Sequence, residues 1–311
     1  MSPTLERLPR SAADNLVTIV MPVYSLAKAM ADEGIRVTKE AMTRRLGEWL
    51  MGARPNPPRG VATVAALMRA LPSIGMSAEL RFVPNCTMLA QARSIMAHQF
   101  QEAPGSNWLL HVDDDIGADA ETCLELFRAD SDVILCAYPQ RLPPYVLTIH
   151  PLPTPDGKGF LPFADAPTRR TAATRRVIEI ADGGLGLCLV RREVIAAVSR
   201  ELAKTPRDYV FDGGKDAQGR RAQIVHIYRE EILTLRDRRT LVGEDVAFMH
   251  RARALGARIE CLADATVNHD GIVCSLGEIL DSGALFTAAD DEDVPTRADR
   301  RTLPASDEAV S

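Results

Sequence analysis

The sequence predicts an α/β protein built on a mostly parallel sheet sandwiched by helices. Three observations carry that expectation. Short apolar runs alternate with helical stretches from Val17 to Ala137, the order that calls for right-handed crossovers between parallel strands. The first run, Val17-Thr18-Ile19-Val20-Met21-Pro22-Val23, is almost continuously apolar, as suits a strand covered on both faces. Residues able to do chemistry follow directly after several of these runs, on the sheet edge where such folds bind ligands.

The elements follow in order. After the first strand, an amphipathic helix is expected over Val37 to Met51, broken by Pro55, Pro57 and Pro58. A second helix, Val61 to Leu71, is stopped by Pro72 and Gly75. Ala78 to Val83 reads as a strand, and Thr87 to Phe100 as a strong helix with Asn85 or Thr87 as N-cap. Trp108 to Val112 is the third strand, Ala120 to Arg128 a helix opening near Asp119, and Val133 to Ala137 the fourth strand. Tyr138 to Arg176 is proline-rich and irregular, with a short strand at Tyr145 to His150, as expected of long functional loops. Strands return at Val177 to Ile180 and Leu187 to Val190, followed by a helix over Arg192 to Leu202. Tyr209 to Gly214 and Ala222 to Tyr228 read as strands around a glycine-rich turn. Val246 to Leu255 is a helix, Arg258 to Leu262 a strand, and Ala265 to His269 follows. The expected organisation is an arm over residues 1–15, halves of one domain over 16–140 and 141–286, and a disordered acidic tail over 287–311.

At 311 residues, 46% hydrophobic and 25% charged, the chain has an ordinary globular composition. Seven acidic residues against three arginines after Thr287 account for −4 of the net −5. The body is therefore near neutral and offers no global field for nucleic acid or membrane. The six cysteines (Cys86, Cys123, Cys136, Cys188, Cys261, Cys274) form no CxxC and mostly sit in apolar patterns, the signature of buried reduced thiols. No apolar run approaches a membrane span, and Met1 to Asn15 lacks a signal-peptide core. The expected location is the cytoplasm.

The most informative stretch is His111-Val112-Asp113-Asp114-Asp115-Ile116, at the end of the third strand. Two unit charges about 4 Å apart repel by roughly 4 kcal/mol at an effective dielectric of ~20. Protonation, a nearby arginine or a divalent cation must offset that. Strand alternation turns Asp113 and Asp115 to one side and Asp114 to the other, so that pair is expected to share Mg²⁺ or Mn²⁺, a grip suited to a diphosphate. Alone, the stretch would equally be an acidic turn capping the next helix. Gly243-Glu244-Asp245 opens a helix, where carboxylates cap well; the functional alternative makes Asp245, or Glu244 beside it, a general base. His269, in Asn268-His269-Asp270-Gly271, suits Mn²⁺ as a third ligand, or is turn chemistry. Gly183-Gly184-Leu185-Gly186 lacks the strand-to-helix context of a dinucleotide loop, but glycines there let a backbone approach a ligand. Arg93 is placed to neutralise the acidic cluster or to hold a diphosphate.

The ordered set of Pro22-Val23-Tyr24, Asn85 with Ala92-Arg93, Asp113-Asp114-Asp115, Gly183-Gly184, Gly243-Glu244-Asp245 and Asn268-His269-Asp270-Gly271 resembles the nucleotide-sugar glycosyltransferases of GT-A type. It is nearest to family-2-like bacterial and phage members, over about residues 16–275. The resemblance implies a Rossmann-like GT-A fold, with residues 16–140 binding the nucleotide-sugar and a C-terminal half, 141–286, carrying acceptor and catalysis. It implies that Asp113 and Asp115 hold metal and donor diphosphate, with Asp114 near the ribose. Pro22, Val23 and Tyr24 would line the nucleoside pocket, with Asn85 and Arg93 also on the donor. Gly183 and Gly184 would flank the sugar and acceptor, Asp245 would be the base, and His269 would bind Mn²⁺ or Mg²⁺. An Asp245 base goes with inversion and a His269 ligand with several retaining members, so both stereochemistries stay open. The helical insertion over about Leu26 to Arg59 departs from the family pattern.

Two alternatives belong to other classes. A nucleotidyltransferase would carry a basic, glycine-rich phosphate loop after the first strand, where Tyr24-Ser25-Leu26-Ala27-Lys28 stands. The other is a non-catalytic nucleotide-sugar-binding protein. Arginine pairs at Arg169-Arg170, Arg175-Arg176, Arg220-Arg221 and Arg238-Arg239 are solvated loop charge or contacts to a polyanionic acceptor such as a hydroxylated base in DNA.

Overall fold

Leu16–Pro22 (β1) is buried along almost its whole length. Val17, Ile19 and Met21 pack on one side of it and Val20 on the other, which explains the lack of apolar–polar alternation. The computed structural model describes residues 15–22, 39–54, 56–83, 88–103, 105–140, 147–156, 159–215, 221–235, 238–269 and 272–281. The expectations for Val23, Tyr24, Asn85, the N-terminal arm before Asn15 and the acidic tail lie outside these residues.

The remaining strands are Ser77–Val83 (β2), Trp108–Val112 (β3), Ile116–Gly117 (β4), Val133–Leu135 (β5), Ile149–His150 (β6), Thr168–Arg170 (β7), Arg176–Glu179 (β8), Asp182–Gly183 (β9) and Leu187–Arg191 (β10). Val210–Lys215 (β11), Arg221–Val225 (β12), Glu231–Leu235 (β13), Arg238–Val242 (β14), Ile259–Leu262 (β15), Val267–His269 (β16) and Ile272–Cys274 (β17) follow. The helices are Lys39–Leu50 (α1), Arg59–Ala70 (α2), Leu89–Glu102 (α3), Ala120–Arg128 (α4), Arg192–Leu202 (α5), Pro206–Tyr209 (α6), Glu244–Ala254 (α7) and Leu276–Asp281 (α8).

Eight strands form the central sheet in the order β2-β1-β3-β10-β5-β15-β8-β7. β1 pairs parallel with β2 and β3, and β5 with β15. β10 runs antiparallel between β3 and β5, and β8 antiparallel between β15 and β7. Six strands thus point one way and two the other, so the sheet is mainly parallel, as expected, but not uniformly so. β10 is reversed because its chain enters from the edge where β3 ends: Leu187 lies opposite Val112 and Arg191 opposite Trp108. Hydrophobic periodicity carries no strand direction.

Helices cover both faces. Met96 and Phe100 of α3, Val194 and Val198 of α5 and Phe248 of α7 share one core. Met42 and Trp49 of α1, Val64 and Leu67 of α2 and Leu124 of α4 share the other. Asp119 caps α4 by accepting from Thr122 N at 2.6 Å. The orphan carbonyls ending α3 are met by the Arg192 guanidinium, at 2.9 Å from Phe100 O and 3.0 Å from Ala103 O. Among the described residues no helix is long and apolar enough to cross a membrane. Cys123, Cys136, Cys188 and Cys261 are buried free thiols.

Several boundaries differ from expectation. α3 begins at Leu89 with Met88 at its N-cap and no side-chain cap, and α7 starts two residues early, at Glu244. The β13–β14 hairpin (Glu231 opposite Val242) was not foreseen. Its charged, half-exposed sequence has no buried face to impose a clear period. Arg169 reaches Glu260 and Ser131, and Arg176 reaches Asp264 and Asp281. Two of the expected basic pairs are therefore partly committed inside the protein.

The segment before β2 puts α2 directly against the acidic stretch. Gly60 N donates to Asp114 O at 3.1 Å, and a Cβ at Gly60 would stand 2.7 Å from Asp114 Cα as well as against Asp113 O. Both obstacles are backbone. Gly60→Ala is expected to destabilise the fold by about 1–3 kcal/mol through overpacking, read as a lower urea midpoint; an unchanged midpoint would contradict this contact.

Candidate active site at the sheet edge

β3 ends at Val112, and Asp113 to Asp115 form a turn closed by Ile116 N donating to Asp113 O at 3.2 Å. The expected alternation of Asp113 and Asp115 therefore does not apply, since it belongs to extended chain. Each acidic residue meets its own compensation. Asp113 receives Arg93 Nη2 on both oxygens, at 2.7 and 2.9 Å. The backbone of Asp114 receives the N-terminus of α2 through Gly60, the positive end of the helix dipole. Asp115 Oδ2 lies 3.6 Å from His269 Nε2.

Arg93 is 2% exposed. Besides Asp113 it donates through Nη1 to Glu244 Oε1 at 2.7 Å, so it neutralises acids rather than presenting a free charge. Two flanking carboxylates hold its pKa above the ordinary value against the pull of burial. Glu244 is pushed up by burial, with Arg93 opposing and Asp245 and Asp113 adding to the rise. Asp245 is also raised, by burial first; the Val246 N–H and Arg93 oppose this, and Asp182 adds to it. Asp245 Oδ1 accepts from Val246 N at 2.8 Å. Glu244 is thus tied to the guanidinium, while Asp245 is a carboxylate of enhanced basicity with a backbone donor on one oxygen. Asp182, buried on β9, bonds His150 Nδ1 and lies 3.3 Å from His250 Nε2. Those bonds keep it ionised despite its burial.

His269 Nδ1 lies 2.6 Å from Pro139 O. A carbonyl only accepts, so Nδ1 carries the proton and Nε2 faces Asp115. A lone pair facing a carboxylate calls for a proton or a cation between them. Two ligand atoms on one octahedral dication at ~2.1 Å stand about 3 Å apart, close to the spacing observed. The Asp115–His269 pair therefore fits a hard divalent cation, with its second-shell carbonyl in place. Among the described residues no group of three or more His, Cys, Asp or Glu side chains is arranged to hold one.

The residue missed from sequence is Tyr138. It follows β5 on the edge where β1 and β3 end, and is 7% exposed. Its hydroxyl accepts from Gly186 N at 3.0 Å, and its ring meets that of His269 edge-on at 5.2 Å. A Cβ at Gly184 or Gly186 would stand 2.7 or 2.8 Å from Tyr138 Cζ. Both glycines thus make room for this ring, and Gly183 for Thr148 O, at 2.9 Å. The available signal was position: a tyrosine one turn beyond a strand end, facing a glycine cluster in sequence. Pro22 closes β1 on the same edge, opposite Val83.

A raised carboxyl pKa means that the folded chain binds that proton more tightly than the unfolded chain. The ionised group then costs stability as pH rises from the ordinary Asp range, about 4, through the native value. Asp245→Asn is therefore expected to be more stable than the native chain at pH 7, the difference closing as pH falls to about 4. Urea unfolding at the two pH values reads this, and an Asn variant less stable at pH 7 would contradict it.

No protein-family model matches the chain, and no curated protein matches it. Among solved structures it is similar to A197 from STIV, at 12% identity and a TM-score of 0.40, over 85% of this chain and 91% of that one. It is also similar to GalNAc-T7 with UDP, GalNAc and Mn²⁺, at 14% identity and a TM-score of 0.35, over 82% of this chain and 43% of that one. A third is a glucose-1-phosphate thymidylyltransferase from Bacillus anthracis in complex with sucrose, at 10% identity and a TM-score of 0.25, over 59% and 74% of the two chains.

Proposed function

We propose that the chain is a metal-dependent glycosyltransferase that moves a sugar from a nucleotide-diphosphate sugar to an acceptor hydroxyl. The observation carrying this reading is that Arg93 ties Glu244, the neighbour of the basic buried carboxylate Asp245, to Asp113 just beyond the end of β3, in the turn whose Asp115 faces His269. Proton acceptance and diphosphate binding are the two requirements of glycosyl transfer, and both sets of residues lie where α/β sheets bind ligands.

In this reading Asp245 takes the proton of the attacking hydroxyl. Its raised pKa makes it a better base. Arg93 is a positioning residue: it fixes Asp113 and Glu244 and with them the start of α7, which presents Asp245. Asp115 and His269 would hold Mn²⁺ or Mg²⁺, and the chemistry supplied by the bound cation is neutralisation of charge developing on the departing diphosphate. Pro22, Val23, Tyr24, Asn85 and Asp114 belong to the nucleoside side of the donor, and Gly183 and Gly184 to its sugar side, Gly184 against the Tyr138 ring.

The test is a panel of UDP- and GDP-sugars with Mn²⁺. The expected product is nucleoside diphosphate, whereas pyrophosphate would identify a nucleotidyltransferase, and binding without turnover a carrier. Asp245→Asn is expected to slow donor hydrolysis about 10²–10³-fold with Mn²⁺ affinity unchanged. Asp115→Ala and His269→Ala are each expected to weaken Mn²⁺ binding about tenfold or more, read by titration without donor; unchanged affinity in both would remove the metal from the proposal.

A further inference from the structure

We infer that Asp182 is a positioning residue that fixes the glycine edge at Gly183-Gly184 against the helix carrying Asp245, by holding His150 of β6 and His250 of α7 on its two oxygens. This rests on the glycosyltransferase reading and extends it to an acid that the ordered motifs leave out.

One row of α7 side chains runs along the strand that leads to the glycines. Arg253, Met249 and Asp245 are spaced four residues apart and so share one face of the helix. The first two meet the strand. Arg253 Nη1 donates to Ile180 O at 2.8 Å, and Met249 Sδ accepts from Gly183 N at 3.1 Å. Helix numbers fall as strand numbers rise, so the two segments run in opposite senses. The next turn of that row, about 6 Å further on, carries Asp245 toward the glycines that follow Gly183. The base faces the sugar-side glycines only while α7 and β9 keep this register.

Asp182 is the acid that holds it. A thioether is a weak acceptor, so the bond to Met249 restrains little, and Arg253 secures only the far end of the helix. Asp182 is 4% exposed and directly precedes Gly183 on β9. Its Oδ2 lies 3.3 Å from His250 Nε2, and its Oδ1 takes His150 Nδ1. An ionised carboxylate only accepts, so each ring presents an N–H to it, and such charge-assisted bonds are the stronger kind. With its two oxygens taken by two different elements, the side chain cannot swing to follow either one. β6 is itself laced to the glycine strand. His150 stands opposite Asp182 and Ile149 opposite Gly183, while Ala181 N donates to His150 O at 2.9 Å and Gly184 N to Thr148 O at 2.7 Å. Sliding of α7 along β9 therefore stretches the His250–Asp182 bond, and that bond keeps Asp245 at one height beside the glycines.

The experiment uses hydrolysis of UDP-glucose, GDP-mannose or whichever sugar nucleotide the native chain turns over with Mn²⁺, beside titration with the matching nucleoside diphosphate. His250→Ala removes the donor from a half-buried helix position, and His250→Gln returns an N–H at similar reach. The expected result is a kcat lowered about ten- to a hundredfold in His250→Ala, an unchanged Kd for the nucleoside diphosphate, and recovery of most of the loss in His250→Gln. Asp182→Asn, which puts a donor where an oxygen accepted, is expected to match His250→Ala. Thermal melting establishes that each variant is folded; should Asp182→Asn fail to fold, the two His250 variants decide alone. Native kcat in a folded His250→Ala overturns the inference. So do equal losses in His250→Ala and His250→Gln, which mark packing of the ring instead of its bond, and a matching loss of nucleoside diphosphate affinity, which marks a general structural defect. A native chain that neither binds nor hydrolyses any sugar nucleotide removes the underlying reading and this inference with it, whereas native turnover with an unaffected His250→Ala removes the inference alone.

Discussion

The buried guanidinium of Arg93 is the interaction on which the rest of this edge depends. It joins α3, the end of β3 and the first residue of α7, segments that no local rule of chain geometry would bring together. A charge taken out of water is costly unless it is paired and hydrogen-bonded. Here one cation faces two carboxylates at bonding distance. Removing the cation would leave two part-buried like charges facing one another without a counter-charge, a costly change. Arginine suits the position because its planar fork can serve two carboxylates in different directions, which an ammonium on a flexible stem does less well. The pairing also bears on the nearby Asp245, whose protonated form is favoured by burial and opposed by Arg93.

The acidic turn follows from the same accounting. Three adjacent aspartates need not all be neutralised by one shared ion, because the turn splays them toward three separate partners. Arg93 takes the first, the N-terminus of α2 meets the backbone of the second, and the third faces Nε2 of His269. The middle contact gives α2 its place, directly after the expected insertion over about Leu26 to Arg59. The helix starts at Arg59, whose guanidinium bonds the side chain of Asn268, next to His269 on β16. The start of α2 thus braces the turn on one side and the histidine strand on the other.

Most of the fold was legible in the sequence because burial imposes a period. β1, β3 and α5 fall within about one residue of their expected limits, since a wrong register would bury polar groups. What was not legible depends on facts that burial does not record. Strand direction is one, hence β10. The ending of a strand is another: Asp113 was treated as extended chain, but the strand stops at Val112 and the alternation argument stops with it. Of the candidate site, the sequence marked several residues that the structure brings together and one pairing, Arg93 with the acidic cluster, but not the other partnerships. Arg93, Asp113, Glu244, Asp115 and His269 were all singled out, yet which acid meets which base depends on angles set by three different elements. Tyr138 escaped because an isolated tyrosine has no spacing to detect; its meaning comes only from glycines 46 and 48 positions away.

Those glycines complete the argument about how the edge is held together. The acid–base group around Arg93 and the Asp115–His269 pair are two centres, and one dipeptide touches both. Tyr138 meets Gly186, which in turn holds the backbone of Asp113. The next residue, Pro139, offers the carbonyl that fixes the tautomer of His269. A shift of this dipeptide would therefore disturb the aim of the imidazole and the seat of the phenol together. Its position is constrained from outside by Thr148, whose backbone N–H and hydroxyl both donate to Tyr138 O at 2.9 Å. With β5 leading into it and Leu147 bridged to Pro139, the dipeptide is clamped at both ends. This rigidity is what allows two centres, each costly to form alone, to keep a fixed distance from one another.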